Sequence, residues 1–206
     1  MEIVWYFACR IQFLLVVGRR NVHLSEDMEQ PETLKTRSAN IASMLRVNQA
    51  GEYGAKRIYA GQLAVMGDRT PAARSIAHMA EQEERHLSAF NKLLIERGVR
   101  PTVLHPVWHV AGYALGAVTA AIAPEAAMAC TVAVETEIDR HYAEQLEEIG
   151  DSDPELSAMI TDFQADEVEH KATALAQGAE RAPAYPLMSA IIRAGCRTAI
   201  AVSKRI

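Results

Sequence analysis

Apolar residues recur every three or four positions through most of this chain, which is the spacing of one face of an α-helix. Strand-type runs of Val, Ile and Thr are scarce, whereas Ala is abundant. We therefore predict an all-α protein. Breaks marked by Gly, Pro and Asp divide the pattern into six helices at about residues 38–66, 71–97, 106–123, 125–149, 154–178 and 185–203.

Local signals indicate where some of these helices begin. Ser38 can cap the first helix, and Asp153 followed by Pro154 forms an N-cap and first-turn pair for the fifth. Within the first helix, Gly51 and Gly54 each lower helix propensity by about 1 kcal/mol relative to Ala. We expect these two glycines to let a neighbouring backbone or a ligand approach the helix closely.

The N-terminal part of the chain differs from the rest. Residues 1–24 hold an apolar run shorter than the roughly 20 residues of a bilayer span. Glu2 precedes this run and no basic residue does, unlike a signal peptide. Residues 25–37 are polar and charged. We expect residues 1–37 to be a poorly ordered leader and linker, followed by one domain over residues 38–206.

The third predicted helix, residues 106–123, contains no Asp, Glu, Lys or Arg. It is short for a membrane span. Its composition fits two alternatives equally well. The helix is either packed inside the protein, or it lies in a membrane interface with Trp108 and Tyr113 near the lipid headgroups.

Composition narrows the functional classes. The 206-residue chain is half hydrophobic and carries a formal net charge of −5, without a basic stripe interleaved with aromatic residues. We therefore expect no nucleic-acid partner. The isolated cysteines, Cys9, Cys130 and Cys196, lack the CxxC spacing of a zinc knuckle and do not suggest a disulfide framework.

Four helices place ionisable side chains where their inward apolar stripe would otherwise continue. An unpaired charge on such a stripe costs several kcal/mol or more, so these groups must be paired or must hold a metal ion. The inward residues are Glu52 in the first helix, Glu83 and His86 in the second, Glu135 in the fourth, and Glu167 and His170 in the fifth.

The spacing of these residues repeats along the chain. Glu83 and Glu167 are 84 residues apart, and Glu52 and Glu135 are 83 apart, which indicates a doubled helix pair. Residues three apart on a helix face the same neighbour, so each Glu-x-x-His directs two ligands to one point. Two such pairs and two further glutamates form the ligand set of di-iron and di-manganese helical bundles. Oxygen and imidazole ligands without thiolate suit iron or manganese better than zinc.

The inward acids have an alternative role, because some of them could pair with Arg or Lys near helix ends instead of holding a metal ion.

Among the neighbouring residues, His141 follows Glu135 by six residues and is a candidate for holding a ligand carboxylate. Tyr59 and Tyr142 are candidates for orienting ligands or protons. Surface or packing roles are expected for the histidines outside the repeat, which are His23, His78, His105 and His109.

Over residues 38–206 the chain resembles the demethoxyubiquinone hydroxylase family, known in eukaryotes as Coq7. The matching segments are Leu45–Ala55, Arg57–Gln62, Glu83–His86, Cys130–Glu135, Asp166–His170, Gly195–Arg197 and Ser203–Ile206. Asn48 and Gln49 stand where relatives commonly have Asp and His, so no role of that pair is carried over.

The resemblance implies a ferritin-like four-helix bundle with a di-iron carboxylate core and additional apolar or interfacial helices. It implies an O₂-dependent monooxygenase that hydroxylates the ring of a polyprenylated demethoxyubiquinol in ubiquinone biosynthesis. Of the two alternatives for the third helix, the resemblance favours the one in which it lies in a membrane interface. The implied iron ligands are Glu52, Glu83, His86, Glu135, Glu167 and His170, with Glu83 and Glu167 as the bridging pair.

Cofactors and partners follow from the same resemblance. The cofactors would be two iron ions, with O₂ as co-substrate. The Gly51–Gly54 segment lies mid-helix and is no dinucleotide fingerprint, so we expect an external electron donor, for example NADH. The basic residues Arg193, Arg197, Lys204 and Arg205 would contact lipid phosphates or a nicotinamide cofactor, or simply be the ordinary charge of a C-terminal helix.

The expected partners are the polyprenyl benzoquinol, a membrane lipid surface and an accessory protein of ubiquinone biosynthesis. The leader lacks the composition of a transit peptide, so we expect a peripheral protein on the cytoplasmic face of a bacterial inner membrane. The matrix side of the mitochondrial inner membrane is the alternative. Competing functions are a rubrerythrin-like or manganese-catalase-like peroxide-consuming enzyme, an iron-storage module, and a non-catalytic iron-binding or membrane scaffold protein.

Overall fold

The computed structural model describes residues 31–206, with side chains described from residue 39 onward. Over this range the chain consists of helices and connecting turns, which confirms the predicted all-α class. The six α-helices are α1 (Pro31–Met66), α2 (Pro71–Glu96), α3 (His105–Ile122), α4 (Pro124–Ile149), α5 (Pro154–Ala176) and α6 (Tyr185–Ser203). Single-turn 3₁₀ helices follow α4 at Gly150–Ser152 and α5 at Ala179–Arg181.

The first helix is already formed at Pro31, the first residue that the structure describes, so the predicted start at Ser38 is wrong. No Gly or Pro interrupts the next residues, so the described part of the expected linker is helical. The expectation of a poorly ordered leader otherwise falls on residues outside those that the structure describes.

Side-chain caps define the N-termini of α2 and α5. The Thr70 hydroxyl accepts a hydrogen bond from the Ala73 amide at 3.0 Å, a cap that the sequence pattern did not reveal. The Asp153 carboxylate accepts from the Leu156 amide at 3.1 Å, as predicted. Each cap satisfies an amide in the first helical turn that has no intrahelical partner.

Helices α1, α2, α4 and α5 form a ferritin-like bundle with two apolar clusters in its interior. One cluster includes Tyr59, Ile76 and Met128, and the other includes Leu45 and Leu156. On each of the four helices, the inward acidic residues lie in sequence between members of these two clusters. The ionisable layer is therefore enclosed by apolar packing on both sides, which removes it from water.

Helix α4 is covered on more than one side, because it contacts α3, α5 and α6. Its residues are buried without interruption from Ala126 to Glu135. The sequence pattern predicted a single inward stripe for this helix. The actual burial is broader because α3 and α6 pack over the face that points away from the bundle interior.

Helices α1 and α3 approach each other through glycine. A Cβ atom added at Gly116 would lie 1.9 Å from the Ile58 carbonyl oxygen, and one added at Gly61 would lie 2.1 Å from the Tyr113 carbonyl oxygen. Added Cβ atoms at Gly51 and Gly54 would meet no protein atom within 4 Å, so the close backbone approach is made at other glycines, and the approach of a ligand to Gly51 and Gly54 stays a prediction.

Among residues 31–206, helix α3 packs on α1 and α4 along one side only and is mostly exposed, so these residues do not enclose it. Its buried residues are only Gly116, Thr119 and Ala120. Its exposed large apolar residues are Val107, Val110, Tyr113, Val118 and Ile122. Within residues 31–206, no helix combines the length and hydropathy needed to cross a bilayer.

Candidate metal centre

The bundle brings all six predicted ligands into one buried layer, in which each is at most 1% exposed. The two imidazoles face the carboxylates through Nδ1. His86 Nδ1 lies 3.5 Å from Glu52 Oε2 and 3.3 Å from Glu167 Oε1. His170 Nδ1 lies 3.3 Å from Glu83 Oε1 and 3.1 Å from Glu167 Oε2. Four helices thus contribute side chains to a common point.

The layer divides into two overlapping groups of potential ligands. In each group, one atom per residue can be chosen so that all lie within 4.8 Å of one another. One group is Glu52, Glu83, His86 and Glu167, and the other is Glu83, Glu135, Glu167 and His170. Glu83 and Glu167 belong to both groups, which is the arrangement needed for two carboxylates to bridge a pair of ions.

The polar atoms of this layer fit metal ions. Buried polar atoms normally have hydrogen-bond partners, so those without one require an explanation. Six such atoms in the layer have none, namely Glu52 Oε2, both Glu83 oxygens, His86 Nδ1, Glu135 Oε2 and Glu167 Oε1. Four carboxylates also balance the charge of two divalent cations, which reduces the free-energy cost of burying these carboxylates.

Each histidine is held from behind through its other nitrogen. His86 Nε2 lies 2.9 Å from Asp166 Oδ2, and His170 Nε2 lies 3.1 Å from Gln82 Oε1. In both cases the partner oxygen can accept the Nε2 proton, so that the neutral imidazole, the form that binds metal ions, directs its Nδ1 lone pair into the layer. Such outer contacts fix the tautomer and orientation of metal-binding histidines.

Two buried tyrosines hold the glutamates of α1 and α4 in a reciprocal arrangement. The Tyr59 hydroxyl of α1 donates to Glu135 Oε1 of α4 at 2.5 Å. The Tyr142 hydroxyl of α4 donates to Glu52 Oε1 of α1. Burial followed by the charge of the facing glutamate raises the pKa of both phenols well above the usual value, so they remain neutral donors. They orient one oxygen of each glutamate and leave the other free.

Burial and mutual charge shift the pKa values of the acids and imidazoles in this layer. Burial and the charge of Glu167 raise the pKa of Glu83 and of Glu135 well above the usual value. Burial alone would lower the pKa of His86, but Glu167 and Glu52 outweigh it and raise that pKa to about 10. Burial alone would raise the pKa of Glu167, but His170 and His86 lower it to about 2. Cations bound in this layer would compete with protons for the carboxylates of Glu83 and Glu135.

His141 does not hold a ligand carboxylate in the way expected from the sequence. Its Nε2 accepts from Gln145 Nε2 at 2.8 Å, and Gln145 forms a reciprocal amide pair with Asn48, both contacts at 2.8 Å. Burial, followed by the charges of Lys204 and Arg140, lowers the pKa of His141 to about 4. This imidazole is therefore neutral near pH 7 and belongs to a buried polar network beside the layer.

The sequence pattern did not reveal Asp166 and Gln82 as holders of the histidines, nor the role of Glu137. Asp166 and Gln82 each directly precede a predicted ligand glutamate, Glu167 and Glu83, and this position could have identified them. Glu137 is fully buried and accepts from Arg193 at 2.6 Å and from Arg197 at 2.9 Å. Two members of the C-terminal basic cluster are thus bound by an internal carboxylate.

The comparisons with known proteins agree with this geometry. The sequence profile of the family described as "Ubiquinone biosynthesis protein COQ7" matches residues 39–203. The chain belongs to this family.

Several members of this family are similar to the chain over about four fifths of both sequences. The "3-demethoxyubiquinol 3-hydroxylase" of Rhodospirillum rubrum is 51% identical over 169 residues, covering 82% of this chain and 80% of the relative. The mitochondrial "NADPH-dependent 3-demethoxyubiquinone 3-hydroxylase" of Mus musculus is 52% identical over 171 residues, covering 81% and 78%. The mitochondrial "5-demethoxyubiquinone hydroxylase" of Saccharomyces cerevisiae is 40% identical over 185 residues, covering 82% and 79%.

Proposed function

We propose that this protein is an O₂-dependent monooxygenase of ubiquinone biosynthesis that hydroxylates the ring of a polyprenylated demethoxyubiquinol. The observation that carries the proposal is the buried set of four carboxylates and two imidazoles within one layer of the bundle. Relatives named for this hydroxylation are about half identical to the chain and supply the reaction class.

The donor set fits two iron ions. Glu52 and His86 would bind one ion, Glu135 and His170 the other, and Glu83 and Glu167 both. When bound, the pair of ions supplies O₂ activation. The protein's own residues keep the layer free of water, and Tyr59 and Tyr142 hold one oxygen each of Glu135 and Glu52.

The balance of the reaction requires an external reductant. One atom of O₂ enters the ring as a hydroxyl group, and the other leaves as water with two electrons and two protons. Relatives named as NADPH-dependent support a nicotinamide nucleotide as the ultimate source of these electrons. We expect NADPH or NADH to serve, delivered directly or through a separate reductase.

A membrane-bound substrate calls for membrane contact by the enzyme. A polyprenyl tail leaves the bilayer at a cost of about 0.8 kcal/mol per buried CH₂ group. The exposed apolar face of α3 supplies a surface for peripheral binding, and α6 adds exposed Leu187 and Ile191. The proposed site of action is the cytoplasmic face of a bacterial inner membrane, or the matrix side of the mitochondrial one, with an accessory protein as a further partner.

Vesicle flotation tests the membrane assignment. Replacing Val110 and Val118 of α3 with Glu should reduce the fraction bound to phospholipid vesicles several-fold, because both side chains are exposed and would be charged in the interface. Ile95→Glu on α2 is the control, since Ile95 is 81% exposed on another helix. Equal loss in both variants would contradict the assignment of the surface to α3.

The activity is tested with purified, iron-loaded protein, a demethoxyubiquinol with a short prenyl chain, O₂ and a reductant. We expect a hydroxylated product, and a loss of about 100-fold or more in Glu167→Ala, which removes a carboxylate shared by both ion positions. Glu81→Gln on the exposed face of α2 should retain activity. Consumption of peroxide without formation of the hydroxylated quinol would instead establish the peroxide-consuming alternative.

A further inference from the structure

The two halves of the metal centre are related by a shift of 84 residues, and the relation extends to the residues behind the histidines. His86 corresponds to His170, and Asp166 behind His86 corresponds to Gln82 behind His170. Both outer contacts cross between α2 and α5 in the same way. The two halves can therefore be compared position by position, starting with the acid behind His86 and the amide behind His170.

The face behind His86 is closed by an ion-pair network. Arg85 binds Asp166 and also binds Asp162 through Nη1 at 2.7 Å. The Arg85 guanidinium lies 5.1 Å from the centre of the Phe163 ring, and that ring stacks on His86 at a centroid distance of 4.1 Å. The outer nitrogen of His86 is thus covered by a carboxylate, a guanidinium and an aromatic ring.

The equivalent face behind His170 is a cavity of about 320 Å³ between α2 and α5. The residues that correspond to Arg85, Asp162, Asp166 and Phe163 are Glu169, His78, Gln82 and Met79, and all four line this cavity. Met79 and His170 are its buried lining residues, whereas His78 and Glu169 are exposed at its rim. Where one half of the molecule has a cation between two acids, the other has an acid, a histidine and an amide.

We propose that this cavity is the access route and first binding site for a divalent cation that fills the His170 side of the metal centre. His78 and Glu169 offer an imidazole and a carboxylate at the rim, and the half-buried Gln82 stands between them and His170. Arg74 also lines the cavity, but its guanidinium donates to the Arg69 carbonyl oxygen at 2.9 Å. The inference rests on the proposed di-metal function.

The same difference between the two halves predicts different rates of ion exchange at the two ion positions. The carboxylate of Asp166 accepts a charge-assisted hydrogen bond from His86 and strengthens that imidazole as a ligand, whereas Gln82 offers His170 a neutral acceptor. The ion on Glu52 and His86 therefore exchanges slowly behind a closed face. The ion on Glu135 and His170 exchanges rapidly through an open one.

The test follows the release of iron(II) from anaerobically loaded protein into an excess of a chromogenic chelator. The wild-type protein should bind two ions per chain and release them in two phases of equal amplitude, separated by about tenfold or more in rate. The closing variant His78→Asp/Gln82→Asp/Glu169→Arg rebuilds the ion-pair network on the cavity side. It should slow only the fast phase, by roughly 10- to 100-fold.

Arg85→Ala is the reciprocal variant, because it removes the network that covers His86. It should accelerate only the slow phase, and Glu81→Gln should change neither phase. Two ions released in a single phase, or a closing variant that leaves the fast phase unchanged at full loading, would overturn the inference and leave the proposed function intact. Failure of the wild-type protein to bind any ion would overturn the proposed function itself, and circular dichroism establishes that each variant is folded.

Discussion

Glu137 and Glu167 are both fully buried carboxylates of this bundle, but they are compensated by different means. Glu167 faces two imidazoles and has an oxygen without a hydrogen-bond partner, as suits a ligand. Glu137 accepts from Arg140, Arg193 and Arg197, which ties α4 to α6. A buried charge by itself therefore does not identify the metal site. The partners of the charge distinguish a structural acid from a ligand.

Glu137→Gln should destabilise the protein by about 1–3 kcal/mol at pH 7, because it weakens charge-assisted contacts whose Arg partners are partly exposed. Burial alone raises the pKa of Glu137, but Arg193 and Arg140 outweigh it and lower the pKa below its usual 4.5. The contribution is therefore fully present above about pH 4.5 and is lost as the pH falls through the lowered pKa. Urea unfolding at pH 7, 5 and 3.5 measures it.

Glu144→Gln is the matched control for this prediction. Glu144 pairs with the same Arg140, but its side chain is 51% exposed. Exposed ion pairs contribute little, so the change should stay within about 0.5 kcal/mol. A loss in Glu144→Gln as large as that in Glu137→Gln would contradict the assigned role of the buried acid.

At the scale of elements, α3 shows how a helix without charges can remain outside the core. Its glycines let α1 approach backbone to backbone, and the helix also packs on α4, so one side of α3 is covered while the other stays exposed. The sequence correctly predicted that α3 is an apolar helix. It could not predict which face of α3 would be buried, because that depends on the helices that pack against it.

Gly116→Ala should destabilise the docking of α3 on α1. The added Cβ would lie 1.9 Å from the Ile58 carbonyl oxygen, so the two backbones must separate, at a cost of about 1–3 kcal/mol. Gly195→Ala on α6 is the control, because its Cβ meets nothing within 4 Å and alanine favours the helix by about 1 kcal/mol. Thermal melts should therefore shift in opposite directions, and a stabilised Gly116→Ala variant would refute the close contact.

At the scale of the whole molecule, the bundle places a layer of six ionisable groups between two apolar clusters. Without cations, this layer combines desolvated carboxylates with unpartnered polar atoms, both of which disfavour the folded state. Bound cations replace that cost with ligand bonds that exist only in the folded chain. Stability and metal binding are therefore linked through the same residues.

Divalent iron or manganese should raise the melting temperature measured anaerobically. At 100 times the dissociation constant, a ligand specific to the folded state contributes about 2.7 kcal/mol. For a chain of this size, that corresponds to roughly 5–10 °C. The double variant Glu83→Gln/Glu167→Gln, which lacks both shared carboxylates, should show little shift. An equal shift in this variant would indicate that the ions bind elsewhere.

The sequence alone determined the helical class, five of the six helix starts to within a residue, and the six residues that share the buried layer. It could do so because helical periodicity and the Glu-x-x-His spacing are local properties of the chain. The glycines that contact α3, the burial of Glu137 and the partner of His141 were decided by the tertiary structure. Each of these depends on which element covers a given face. The difference between the closed face behind His86 and the cavity behind His170 likewise became visible only when α2 and α5 were brought together, because the residues concerned bind across the two helices.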